Sequence, residues 1–444
     1  MFFRDIIMRK SAFALGIAML CAASASADGS HIKGVTAIGE VFGDGAKTSA
    51  VALEYDAPVS AESLTPASYE VAGREISRVC TGKSADKCSA KEGGNFVIIE
   101  LKTSVSLTPE FGPDLEKERN SAPDKAGKKA PPAGMKPGKG GPGIVAGGKP
   151  ERKADPFPIE AEVRQALPVK AADGRTFDEG TRMKSTASKI LIADDFRQLS
   201  YKDDETGVTL RYNLFIPRDY DSSKRYPLVL FMHDASGANQ NDRYTLLQGN
   251  GAVVWASPES QSAHPAFVLA PQYDEIVVDD DFTATASAGA TIGLLHHVEK
   301  EYSVDKDRVY TTGQSMGCMM SYLLLSTHTD EFAAGLLVAG QWDPKVIAPM
   351  AEKPLWLVSS TGDAKSSAGA ETALRLWGDA GAKIARNELP FEASEKELGD
   401  GAERLLGEDA SIRYTRLQGG WHNGTWRVAY GIRPIRDWLM RQHR

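Results

Sequence analysis

Beyond about residue 190, short runs rich in apolar and β-branched residues alternate with stretches of helical spacing. The runs at 209–216, 227–232, 267–270, 308–312, 335–339, 355–359 and 413–417 are too continuously apolar for strands with one wet face. They predict strands buried on both sides. Between them, 285–301, 316–326 and 428–441 carry apolar residues at helical spacing; Met319, Met320, Leu323 and Leu324 share one side of the second. Strands alternating with helices imply a mostly parallel sheet covered on both faces, an α/β class. The first part of the chain is patterned differently. Val51, Leu53 and Tyr55 alternate with smaller or polar residues, and further short runs follow at 69–71, 76–79, 95–101, 159–163 and 166–169. These predict a small all-β domain of sandwich type over about 28–185, followed by an α/β domain over 190–444.

One stretch fits neither pattern. Residues 117–153 are rich in Pro, Gly, Lys and Ala, lack aromatics, and carry ten Lys/Arg against three Asp/Glu. So little apolar surface does not offset the entropy of ordering, and the stretch reads as a disordered basic insertion within the β-domain. The N-terminus reads as an address: Arg4, Arg9 and Lys10 precede an apolar run at 11–21, and Ala25-Ser26-Ala27 offers a cleavage site. A signal peptide over 1–27 is expected, with the mature chain periplasmic or secreted and without a transmembrane segment. In an oxidising compartment Cys80 and Cys88 are a candidate disulfide, while Cys318 is expected in the core.

At 444 residues, 42% hydrophobic and 25% charged, the composition is that of a globular protein of two or three domains. The net charge of −7 gives no basic face for nucleic acid, and none is expected as a partner. The eight histidines are scattered without metal-ligand spacing, so neither metal nor cofactor is expected.

The chemistry concentrates at Gly313-Gln314-Ser315-Met316-Gly317, set between the run at 308–312 and the helix at 316–326. A strand, Gly-x-Ser-x-Gly and a helix in succession form the nucleophile elbow of α/β-hydrolases. Serine is a weak nucleophile at neutral pH and needs a base, with a third group to orient that base. In this fold the partners follow the serine as acid, then histidine. His422, in the glycine-rich loop after the run at 413–417, is the base candidate. Asp363, after the run at 355–359, is the acid candidate, and Asp343 is its rival. Backbone N–H groups of Met316 and Ala235 are the expected oxyanion hole, with Asp234 the alternative to Ala235.

Tyr212-Asn213-Leu214-Phe215-Ile216-Pro217, Tyr226 to His233, Ala270-Pro271-Gln272, the elbow, and the ending His422-Asn423, Trp426, Ala429-Tyr430, Asp437-Trp438-Leu439 together resemble secreted esterases of the poly(3-hydroxybutyrate)-depolymerase-like and predicted-peptidase group. The resemblance covers about 195–442. It implies an α/β-hydrolase domain, and members with an N-terminal immunoglobulin-like domain suit the strands before residue 180. Three positions depart from the group: Asp234 replaces a glycine after His233, Cys318 replaces a second glycine behind the elbow, and the His-Gly often found before the acid is missing. The first departure puts a carboxylate beside a developing negative charge. The expected activity is hydrolysis of a small-molecule or polymeric ester by Ser315, His422 and Asp363. A peptidase or amidase on the same residues, or a hydrolase-fold binding protein with impaired catalysis, are the alternatives.

Overall fold

The computed structural model describes residues 31–89, 93–103 and 145–444. The expected signal peptide at 1–27 and the expected insertion as far as residue 144 lie outside them.

Alternation in the N-terminal part builds two facing sheets and a small two-stranded one, Val169–Lys170 with Thr176–Phe177. Of the facing pair, the larger runs in the order Ala187–Ile190, Ile32–Phe42, Gly45–Val59, Gly94–Leu101, Ile76–Gly82. All neighbours are antiparallel except the first pair, which is parallel. The smaller holds Tyr69–Val71, Glu162–Gln165 and Met183–Lys184. Val51, Leu53 and Tyr55 face the inter-sheet core with Val97, Ile99, Val163 and Phe177, while Ala50 and Ala52 face the opposite side. The buried Tyr55 hydroxyl donates to Gln165 Oε1 at 2.6 Å and lies 3.0 Å from the Tyr69 hydroxyl, tying the two sheets with satisfied polar groups. Cys80 and Cys88 form the expected disulfide.

The second part forms a nine-stranded sheet. Its strands are β1 (Arg197–Lys202), β2 (Thr209–Phe215), β3 (Tyr226–Met232), β4 (Phe267–Gln272), β5 (Val304–Gln314), β6 (Ala334–Val338), β7 (Leu355–Ser360), β8 (Ile384–Pro390) and β9 (Ile412–Gln418). The spatial order is β1-β2-β4-β3-β5-β6-β7-β9-β8, with β1, β2 and β4 antiparallel and every other pairing parallel. The principal helices are α1 (Ala286–Glu301), α2 (Met316–Thr327), α3 (Ala364–Asp379), α4 (Glu395–Leu406), α5 (His422–Ala429) and α6 (Arg433–Leu439). They cover both faces: Leu228, Leu230 and Met232 pack with α1, α2 and α3, while Val229 and Phe231 pack with residues of α4, α5 and α6. This is an α/β-hydrolase fold behind an immunoglobulin-like domain. Among the described residues no helix is long and apolar enough to cross a membrane.

Two expectations change. The single closing helix expected at 428–441 is two helices, α5 and α6, because Pro434 starts a new helix in its first turn and leaves a break after Ala429. Residues 145–153, expected as the disordered end of the insertion, are bound to the α/β domain. Gly147 N–H donates to Ile276 O and Ile276 N–H to Gly148 O, both at 2.8 Å. Ala146 N–H donates to Asp279 Oδ2, and Lys153 N–H to Gln240 Oε1. Asn239 and Gln240 donate to the carbonyls of Pro150 and Glu151. Composition counts side chains, whereas this strap is held through its backbone, whose donors and acceptors do not depend on residue type.

Replacing Cys80 and Cys88 by serine opens a loop of sequence separation 8. Loss of about 2–3 kcal/mol from the β-domain is expected by loop-closure entropy, read as a lower urea midpoint than the oxidised parent and no further change on adding reductant.

Candidate active site

β3, β5 and α2 converge so tightly that glycine is required on both sides of Ser315. A Cβ on Gly317 would stand 1.9 Å from Met232 O, and one on Gly313 would stand 2.5 Å from the Gly317 carbonyl. The turn between them forces Ser315 to φ 53°, ψ −115°, a conformation that a side-chain-bearing residue adopts only when its surroundings over-determine it. Ser315 N–H donates to Val338 O at 3.1 Å, and its carbonyl accepts from Met319 N–H at 3.0 Å. The hydroxyl is thereby projected at the carboxyl ends of the strands.

The structure brings Ser315, His422 and Asp363 together across 107 and 59 residues of sequence. Ser315 Oγ lies 2.8 Å from His422 Nε2, and His422 Nδ1 lies 2.5 Å from Asp363 Oδ2. With Nδ1 carrying the proton and donating to the carboxylate, Nε2 is left to accept from the serine hydroxyl. His422, expected in a loop, is the first residue of α5, and the Trp426 ring stands edge-on to the imidazole at 5.2 Å. The acid and base loops touch: a Cβ on Gly362 would sit 1.9 Å from Gly420 O, where Gly419 and Gly420 have φ of 81° and 69°.

Asp363 makes two kinds of contact with one carboxylate. It caps α3, accepting from Ser366 N–H at 3.3 Å and Ser366 Oγ at 2.5 Å, and it also accepts from His422. Burial pushes its carboxyl up, but the hydrogen bonds and charge attraction from His422 and the bonds from Ser366 outweigh this and hold it below the usual carboxylate range. Asp343, the rival acid, instead closes a local turn by accepting from Lys345 N–H at 3.0 Å.

Ala235 and Met316, the two expected oxyanion donors, open the short turn Ala235–Gly237 after β3 and helix α2 respectively. First-turn N–H groups have no partner within their own helix, and none is found for either among the described residues. Asp234 is tied into its own loop rather than left free: Oδ1 accepts from Ser236 N–H and Oγ, and Oδ2 from Gln314 Nε2 at 2.9 Å. Behind it, His233 is fully buried; its Nδ1 lies 2.7 Å from Asp234 O, and its Nε2 accepts from Tyr273 N–H at 3.1 Å. Burial pushes the His233 imidazolium toward deprotonation. A neutral ring with Nδ1–H donating to Asp234 O suits both contacts. Sequence reasoning missed His233, Gln314 and Ser366 as supports. The available signal was weak: His233 is a polar residue directly after the apolar strand β3, and Gln314 sits inside the elbow pattern.

Residues 34–178 match the family model of the esterase Ig-like N-terminal domain. Among curated proteins, a probable feruloyl esterase C of Aspergillus terreus is 31% identical over 130 residues, 29% of this chain and 46% of that protein. A probable acetylxylan esterase A of Aspergillus flavus is 30% identical over 99 residues, 20% of this chain and 32% of that protein. The chain thus spans less than half the length of these curated relatives. Among solved structures, a thermostable esterase covers 93% of this chain and 100% of its own, with a TM-score of 0.71 and 25% identity.

Asp234→Ala removes the carboxylate that accepts two hydrogen bonds from Ser236 and one from Gln314 of the elbow. Since a misplacement of about 1 Å costs on the order of a hundredfold, kcat for an activated ester should fall at least about tenfold while KM changes little.

Proposed function

We propose that this chain, an α/β-hydrolase domain joined to an esterase Ig-like domain, is an exported serine esterase acting through an acyl-enzyme. The observation that carries the reading is the unbroken hydrogen-bonded series Ser315, His422, Asp363 at 2.8 and 2.5 Å. Ser315 Oγ attacks the ester carbonyl carbon while His422 Nε2 takes its proton. The oxyanion so formed receives the N–H groups of Met316 and Ala235, where one such donor is worth about 3–4 kcal/mol of transition-state stabilisation. As the intermediate collapses, the alcohol leaves with the proton from His422. Water, activated by the same nitrogen, then attacks the acyl carbonyl and releases the acid and free Ser315. Asp363 holds the imidazole in the tautomer that both half-reactions need.

Esters rather than amides are favoured because the relatives that match are named esterases and the family model is an esterase domain. The leader expected at 1–27 and the Cys80–Cys88 disulfide support export to an oxidising compartment. The concern that Asp234 opposes the developing oxyanion is lessened by the three hydrogen bonds its carboxylate already accepts.

A fluorophosphonate should label the folded protein at Ser315, and Ser315→Ala should abolish both labelling and p-nitrophenyl ester turnover. Absence of labelling on protein of intact melting behaviour would defeat the esterase reading. The acid is assigned by comparison: Asp363→Asn should lower kcat by about 10⁴-fold, while Asp343→Asn should stay within a few-fold of the parent. The reverse order would give the role to Asp343.

A further inference from the structure

Among the described residues five large apolar side chains are left exposed, and Phe282, at 37% exposure, is the one aromatic ring among them. Phe282 stands at the tip of the loop between β4 and α1, at φ 61°, a left-handed backbone that an aromatic residue adopts only against strain. Asp279 fixes that tip. Its carboxylate accepts from Asp281, Thr283 and Ala146 N–H groups, and its carbonyl accepts from Phe282 N–H. The tip is also anchored to the catalytic loops. Asp280 pairs with Lys365, two residues past Asp363, and accepts from Gln341 Nε2. Gln341 follows Gly340, whose Cα packs so near the elbow that a Cβ there would lie 3.0 Å from Ser315 O. The next residue, Trp342, is buried and meets the Phe282 ring edge-on at 5.5 Å and 72°. An exposed ring is thus held in a strained pose and braced by a buried indole, and its loop is tied through Asp280 to Gln341, on the loop after β6 that packs against Ser315, and to Lys365, just past Asp363.

We propose that Phe282, backed by Trp342, is the specificity-determining wall of the cleft, selecting esters that carry a planar aromatic ring. The inference rests on the esterase reading and names the substrate group that this rim takes. A ring lying on Phe282 gains both apolar burial and aromatic contact geometry, which an alkyl group of similar size gains only in part.

The test is kcat and KM for two matched pairs, methyl cinnamate against methyl hexanoate and phenyl acetate against hexyl acetate, in the parent, Phe282→Ala and Phe282→Trp. The aromatic-to-alkyl ratio of kcat/KM for one pair should fall about three- to tenfold in Phe282→Ala, carried by KM, and be retained in Phe282→Trp. The pair that responds tells whether the ring belongs to the acyl or the alcohol side. Should Phe282→Ala fold poorly, Phe282→Gly suits the left-handed backbone and reports the same ratio. Ratios unchanged in both pairs, or an equal loss on all four esters, would overturn the proposal while leaving the esterase reading intact. Failure of the parent to turn over any of the four would defeat the esterase reading itself.

Discussion

The carbonyl end of β3 and the first turn of α2 lie closer together than any side chain permits. Met232 O occupies the place where a Cβ on Gly317 would go, and Gly313 is pressed against the same turn. This contact makes the turn so sharp that Ser315 is held in a strained left-handed conformation with its hydroxyl facing outward. It also starts a helix immediately behind the nucleophile, so the Met316 N–H has no carbonyl of its own to bond. The pose of Ser315, the proposed nucleophile, and the free N–H of Met316, the proposed oxyanion donor, are thus two consequences of one steric constraint. The register of β5 between β3 and β6 maintains it, pairing Gly313 with Met232 on one side and Leu337 on the other.

Around that turn the remaining groups are positioned by polar contacts that each serve more than one purpose. Asp363 caps α3 and orients His422 with a single carboxylate, so the helix that supports the acid also depends on it. The oxyanion loop is held from below by neutral His233 and from the side by Gln314, which belongs to the elbow itself. Asp234 connects these supports. A glycine there would give the loop more freedom, whereas the aspartate exchanges that freedom for three hydrogen bonds. The carboxylate that looked like a liability beside the oxyanion is therefore read as a brace.

The β-domain is more than a neighbour in sequence. Residues 145–153, which lie in sequence between its strands Gly94–Leu101 and Glu162–Gln165, form a strap that pairs with Ile276 and bonds Asn239, Gln240 and Asp279. Gln240 lies just past the oxyanion loop, and Asp279 fixes the tip that carries Phe282. A segment whose composition gives it no core of its own is thus built into the loops that carry Gln240 and Asp279.

Much of the fold was legible in the sequence because burial on both faces leaves a strong local mark. The strands at the sheet centre are continuous apolar runs, and the elbow is a pattern set by sterics within five residues. The order of Ser315, Asp363 and His422 along the chain likewise follows from the fold class. The edge strands β1 and β8, exposed along much of their length, left no such mark. The break between α5 and α6 did leave one: Pro434, interior to a helix at 428–441, marks a new helix start instead. Contacts that form only in the folded chain supplied the rest: the strap's attachment, the bonds that occupy Asp234, and the placing of Asp363 rather than Asp343 against His422. Residue type alone does not encode those outcomes, because they depend on which carbonyls and side chains the folded chain brings within about 3 Å of one another.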